Sequence, residues 1–209
     1  MQEFPILNSS FYQRKDVIQI SKELLGKVLV TNIDGEYTSG IIVETEAYRA
    51  PDDKACHAYG NRRTKRTRTM FENGGISYVY VCYGIHHLFN VVTGEEGMAH
   101  AVLIRAVEPL DNIDLMAQRR SMKNTDYQLT SGPGKLSVAL GIRSTHDALS
   151  LINRDGKIWI EDRNIEVSGN NMIAGPRVGM TSAEECAHWP WRFRINGNKW
   201  TSKPDIVKY

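Results

Sequence analysis

Apolar residues recur along the chain first at helical spacing and then in short alternating runs. From Asp16 onward, Val17, Ile18, Ile20, Leu24 and Leu25 keep helical spacing, and Gly26 is placed to close the helix in a left-handed conformation. The pattern then changes period. Lys27–Thr31 is short and rich in β-branched residues, Asp34-Gly35 is a turn signal, and Tyr37 to Tyr48 resumes as a longer strand, which predicts an antiparallel pair. A second hairpin is predicted from Ile76 to Val92, with arms Ile76–Cys82 and Leu88–Val92 around a turn that holds Tyr83 and two imidazoles, His86 and His87.

Further along, Ala101–Val107 reads as a buried strand with a single basic residue, Arg105, inside it, and Pro109 is expected to end it. Helical pieces are predicted near Ile113–Arg120 and Lys135–Leu140. Short strands follow at Ile158–Ile160 and Arg192–Ile195, separated by the turns Asp155-Gly156 and Asn196-Gly197. No internal repeat, low-complexity block or Pro/Gly/Ser linker interrupts the sequence, so one α+β domain over residues 1–209 with a mainly antiparallel sheet is expected.

Composition narrows the class of protein. The chain has 209 residues, 41% hydrophobic and 24% charged, enough for one substantial core. No apolar run reaches the roughly 18 residues of a membrane span, and the N-terminal residues lack a secretory pattern, so a soluble, cytoplasmic protein is expected. The three cysteines are far apart and form no CxxC pair, which argues against disulfides and structural zinc. Lys plus Arg exceeds Asp plus Glu by 26 to 24, a net charge of +2 that says little when averaged over the chain. The distribution says more. Residues 62–68 read R-R-T-K-R-T-R, either a solvated loop or a phosphate-binding segment supplied by Arg62, Thr64 and Arg66.

Candidate chemistry starts in the strand I-I-V-E-T-E-A-Y, where Glu44, Glu46 and Tyr48 alternate and therefore share one face. That face is either the wet side of a half-buried strand or a site. His57 and the basic run follow closely, which would gather carboxylates, an imidazole, aromatics and a phosphate-binding loop. Tyr78 and Tyr80 alternate toward Tyr83 at the hairpin tip. They read as core packing, or as a stacking platform with a tip aromatic able to enter a DNA minor groove. S-G-P-G-K at 131–135 lacks the spacing and the Ser/Thr of a P-loop, which leaves Lys135 as a simple DNA-backbone contact. The six histidines show no ligand spacing, so no metal is expected, and no G-x-S-x-G elbow supports a hydrolase triad.

Taken in order, L-L-G-K at 24–27, I-V-E-T-E-A-Y at 42–48 with His57, residues 75–90 including Y-V-Y-V-C-Y-G-I-H-H-L-F-N, L-I-R-A-V-E-P at 103–109, S-G-P-G-K-L at 131–136 and R-V-G at 177–179 carry a resemblance. The chain resembles the alkyladenine (3-methyladenine) DNA glycosylase family from near Asn8 to about Trp200. The resemblance implies a curved, mainly antiparallel sheet with flanking helices and a protruding hairpin that inserts into DNA. It implies a monomer that meets damaged duplex DNA from the minor-groove side, flips an alkylated, deaminated or etheno purine, and hydrolyses its N-glycosidic bond without a cofactor.

In the family pattern Glu46 is the general base, and Arg105 and the backbone carbonyl of Val178 help hold the water. Tyr48, His57 and Tyr80 sandwich and hydrogen-bond the base, Asn90 disfavours the exocyclic amine of guanine, and Tyr83 is the intercalating wedge. No lysine stands in the place of a Schiff-base nucleophile, so hydrolysis without strand cleavage is implied. No residue is identified as the acid that a neutral lesion would need. His87 replaces a tyrosine frequent in the family, which implies altered contacts to the abasic nucleotide. A non-catalytic protein that recognises distorted duplexes is the alternative, and the intact acid favours the enzyme. A small-molecule transferase is a third reading, and it lacks any cofactor motif.

Overall fold

The longest run of alternating residues forms the strand that organises the molecule. In the computed structural model, which describes residues 3–123 and 125–202, β1 (Val28–Ile33) turns through Asp34-Gly35 into β2 (Glu36–Arg49). Both turn residues have positive φ, 56° and 82°, as a tight hairpin with right-handed strand twist requires. β3 (Ser77–Cys82), β4 (His86–Thr93), β5 (His100–Asp111), β6 (Ile158–Glu161), β7 (Met172–Gly175) and β8 (Arg192–Ile195) complete an eight-stranded sheet. The main path is β3-β4-β5-β2-β1-β6, and each pairing given for these strands is antiparallel. The fold is α+β, as expected.

Two strands share one edge of β2. β1 pairs with Glu36–Ile41, and β8, itself paired with β7, takes over at Glu44–Glu46. Where β8 takes over, β2 changes register against β5, between Ile42 and Glu44 and again between Glu44 and Thr45. Bulges of this kind re-aim side chains beside functional sites. Four short helices, α1 (Ser9–Tyr12), α2 (Val17–Glu23), α3 (Ile113–Arg119) and α4 (Pro133–Ala139), accompany the sheet. Asp16 caps α2 by accepting from the amides of Ile18 and Gln19. Ile20, Leu24, Ile42, Phe89, Ile104 and Leu136 are fully buried in the principal core.

Three expectations are corrected. Helix α2 ends at Glu23, three residues before Gly26, because the Gly26 amide bonds to the Ile42 carbonyl of β2. Gly26 still needs to be glycine: its φ is 82°, and a Cβ there would lie 2.4 Å from the Ile165 carbonyl oxygen. Pro109 does not end β5, which continues to Asp111; Pro109 faces Gly40 next to a register shift, where a missing ladder donor is tolerated. The second hairpin turns more tightly than predicted. His86 and His87 belong to β4, opposite Cys82 and Val81, leaving Tyr83-Gly84-Ile85 as the tip. Among the described residues no helix is long and apolar enough to cross a membrane.

Candidate active site

Glu46 lies where β2 is flanked by β5 on one side and β8 on the other, and its side chain is fully buried. This excludes the reading of that face as the wet side of a strand. A buried carboxylate needs donors, and three are present. The Val178 amide donates to Oε1 at 2.7 Å, the Tyr48 hydroxyl donates to Oε2 at 2.7 Å, and Arg105 Nη1 stands 3.4 Å from Oε1. Burial raises the Tyr48 pKa well above the ordinary phenol value, and the Glu46 carboxylate raises it further, so Tyr48 keeps its proton and acts as a donor. The backbone atom of Val178 in contact with Glu46 is its amide.

Arg105 is 7% exposed. Burial alone would lower its pKa, but Glu46 and Glu44 raise it, and the net effect is upward, so the guanidinium stays charged. Its Nε donates to Glu44 Oε1 at 2.8 Å. Arg192 Nε reaches the same oxygen at 2.7 Å, and Ser202 gives Glu44 both its amide (2.6 Å) and its hydroxyl (2.8 Å). Burial works against the Glu44 anion, but Arg105 and Arg192 outweigh it and hold the carboxyl below its usual range.

The Val178 amide is held in place by its neighbour. Arg177 makes a bidentate pair with Asp53 at 2.5 and 2.7 Å, both side chains fully buried, and also donates to the carbonyls of Ala47 and Cys186. Its guanidinium lies 4.8 Å from the centroid of the Tyr48 ring. Arg177 therefore ties the 177–179 segment to β2 and backs the tyrosine that bonds Glu46.

Beside Glu46 is a cavity of about 40 Å³ lined by Tyr48, His57, Tyr78, Tyr80, Asn90 and Met180, among others. Tyr78 is 2% exposed and packs in a small second core, Tyr80 packs against that core, and both border the cavity. The His57 and Tyr80 rings meet edge to face at 4.7 Å. Arg66 Nη2 lies 3.2 Å from His57 Nε2, and Tyr78 Oη lies 3.0 Å from Nδ1. A guanidinium can only donate, so Nε2 accepts and Nδ1 carries the proton. Burial, then the charges of Arg66 and Arg62, lower the His57 pKa to about 4, so the ring is neutral and both its nitrogens are engaged. Asn90 spends its amide hydrogens on the carbonyls of Tyr78 and Leu88, which leaves Oδ1, an acceptor.

The remaining predicted residues lie around this centre. Tyr83 is 91% exposed with φ 50°, a backbone conformation that costs an aromatic residue about 1–2 kcal/mol. Ile85, 72% exposed, is a second apolar side chain at the tip. Arg62 and Thr64 are exposed in the loop that leads to Arg66, whose guanidinium lies 4.7 Å from the Tyr80 ring centroid. Lys135 is in the first turn of α4, and α4 packs against β4. His87 accepts from the Ser144 amide through Nδ1, so it anchors the hairpin to the body of the protein.

Sequence reasoning placed Glu46, Tyr48, His57, Tyr80, Asn90, Arg105 and Val178 in one neighbourhood, and the fold brings them together. It missed the structural work of Glu44, Asp53, Arg177, Arg192 and Ser202. The R-V-G stretch at 177–179 was the one available sign for Arg177.

Comparison with known proteins gives the family. The family model for methylpurine-DNA glycosylase matches residues 10–199. A relative in Chlamydia felis is 49% identical over 195 residues, covering 93% of this chain and 98% of its own. Relatives in Bacillus cereus (strain G9842; 46% identical, 93% and 97% covered) and Clostridium botulinum (44% identical, 95% and 99% covered) are similar over as much of their length. All three bear the name "Putative 3-methyladenine DNA glycosylase". With a family match over most of its residues and relatives of this similarity end to end, the chain belongs to the methylpurine-DNA glycosylase family.

Proposed function

We propose that this DNA glycosylase flips an alkylated purine out of duplex DNA and hydrolyses its N-glycosidic bond with Glu46 as general base, acting as a monomer and leaving an abasic site with the strand intact. The observation that carries the reading is the buried Glu46 carboxylate, held by the Val178 amide, the Tyr48 hydroxyl and Arg105 beside an aromatic cavity. As the C1′–N bond breaks, its electron pair goes to the base and positive charge develops on the sugar. A carboxylate near that carbon stabilises the charge and takes the proton of the water whose oxygen bonds to C1′. In this reading the Val178 carbonyl and Arg105 help hold that water.

A purine alkylated on the ring carries positive charge and leaves as a neutral base, so it needs no acid. His57 supplies none: it is neutral, and its one N–H is committed to Tyr78. Cationic purines are therefore the preferred substrates, stacked against Tyr48, Tyr80 and His57, whose electron-rich faces favour a cation. The cavity holds little more than one water, whose share of liquid volume is about 30 Å³, so the base enters as the aromatic wall opens. Asn90 discriminates against guanine by bulk, because its available oxygen would accept from the guanine amine. On the DNA, Tyr83 fills the gap left by the flipped nucleotide from the minor-groove side. Arg62, Thr64, Arg66 and Lys135 contact backbone phosphates.

The test is single-turnover incubation with a duplex carrying 3-methyladenine and with matched hypoxanthine and ethenoadenine duplexes. The expected result is release of free base, alkali-labile abasic sites without prior strand breaks, and faster release of the cationic base. No release from any of them, with tight binding to damaged duplex retained, would overturn the reading.

A further inference from the structure

We propose that Glu44 is the positioning residue of this site: it holds the Arg105 guanidinium at a distance from Glu46, so that the catalytic carboxylate stays basic enough to take the proton of water. The inference rests on the glycosylase reading above and adds a residue that the cavity does not include, since Glu44 is fully buried and does not line it.

The geometry is that of a clamp. Arg105 has its Nε on Glu44 at 2.8 Å and its Nη2 at 3.3 Å from the Ser202 hydroxyl, while its Nη1 stops 3.4 Å short of Glu46. A charge-assisted N–H···O⁻ bond normally closes to about 2.8 Å. Two carboxylates therefore compete for one guanidinium, and Glu44 has the shorter contact. Glu44 is fixed in turn by Arg192 Nε and by the Ser202 amide and hydroxyl. Arg192 Nη2 also donates to the Ser202 carbonyl, which ties β8 to the same knot.

With the Glu44 charge removed, the pull on Arg105 comes from Glu46 alone. The guanidinium would close onto Oε1, which already accepts the Val178 amide, stabilise the anion there and make it a weaker base toward the proton of water. The folded protein would keep its aromatic cavity and hairpin, so binding of damaged duplex would be retained while the chemical step slowed. Glu44 thus acts through Arg105, and its effect is conditional on that residue.

The experiment has two arms. In the first, the Arg105 Nε–H resonance is followed by ¹⁵N NMR in the DNA-free protein and in Glu44→Gln and Glu44→Asp. The expected result is a solvent-protected signal in the wild type that shifts and loses protection in Glu44→Gln and is restored in Glu44→Asp. A signal unchanged in Glu44→Gln would overturn the proposal, whether or not the protein releases base. In the second, single-turnover base release is measured for wild type, Glu44→Gln, Arg105→Gln and the double variant. Glu44→Gln should slow release about tenfold with unchanged affinity for damaged duplex, and should slow it no further in the Arg105→Gln background. Equal slowing in both backgrounds, or none in either, would overturn it. If Glu44→Gln does not fold, Ser202→Ala takes its place, with a smaller loss of rate in the same direction that also vanishes in the Arg105→Gln background. An inactive wild type would overturn the glycosylase reading, and the NMR arm alone would then decide whether Glu44 holds Arg105.

Discussion

Replacing Asp53 by Asn separates the buried pair that anchors the site from the surface pairs that contribute little. Asp53 and Arg177 are joined by two bonds of 2.5 and 2.7 Å, and neither side chain is exposed. The Asn amide would place a donor against a guanidinium that can only donate, leaving a buried charge without its counter-ion. Breaking such a pair costs about 3–5 kcal/mol, a large part of the roughly 5–15 kcal/mol that stabilises a domain. With a urea slope of about 3 kcal/mol per molar, the unfolding midpoint should fall by about 1 M or more. Glu184→Gln is the comparison, because its bond to Lys54 is equally short at 2.6 Å but Glu184 is 69% exposed. An exposed pair contributes about 0–1 kcal/mol, so that midpoint should move by no more than about 0.3 M. Urea melts of both variants by tryptophan fluorescence and far-UV dichroism decide the matter. An Asp53→Asn midpoint no lower than that of Glu184→Gln would refute the assignment of Arg177 and Asp53 as the anchor of Val178.

Two further outcomes follow from the surroundings of the cavity. Tyr83→Ala should leave the urea midpoint unchanged, because the ring is 91% exposed and Ala meets the same left-handed backbone strain, yet slow base release from fully paired duplexes more than from duplexes already destabilised by a mismatch; equal rates on both for this variant and the wild type would displace the wedge from Tyr83. His57 gives a pH signature: its pKa falls from 6.5 to about 4 on folding, so the unfolded chain binds the proton more readily, and the stability this residue contributes is fully present above about pH 6.5 and lost as pH falls toward 4. Between pH 7 and 4.5 the wild type should lose about 2 kcal/mol more than His57→Gln, measured by urea melts at both pH values, and parallel losses would mean that His57 is not held neutral.

Much of this was legible in the sequence because period and chemistry coincide in β2. Alternation put Glu44, Glu46 and Tyr48 on one face, and the fold joins all three through Arg105 and the Tyr48–Glu46 bond. The burial of that face was not legible, since it depends on β8 covering an edge of β2 from more than 140 residues away. The partners of Glu44 are hidden for the same reason: Arg192 and Ser202 lie 148 and 158 positions later. β7 escaped notice because Met172–Gly175 is held by pairing with β8 and shows no alternating burial. Pro109 misled because its missing donor mattered less than the bulge it faces. For His57, proximity to Tyr48 was legible but the tautomer was not, because it is set by Arg66 and Tyr78.

The central claim is that Glu46 takes the proton of the attacking water, and the most direct measurement compares Glu46→Gln with the wild type on a 3-methyladenine duplex under single-turnover conditions. Gln keeps an acceptor for the Val178 amide and the size of the side chain, so duplex affinity should stay within about threefold, while loss of a general base removes about 10²–10⁴-fold of rate. The account predicts that base release and alkali-labile sites fall together by at least a hundredfold with binding intact. Release at the wild-type rate by Glu46→Gln would contradict it.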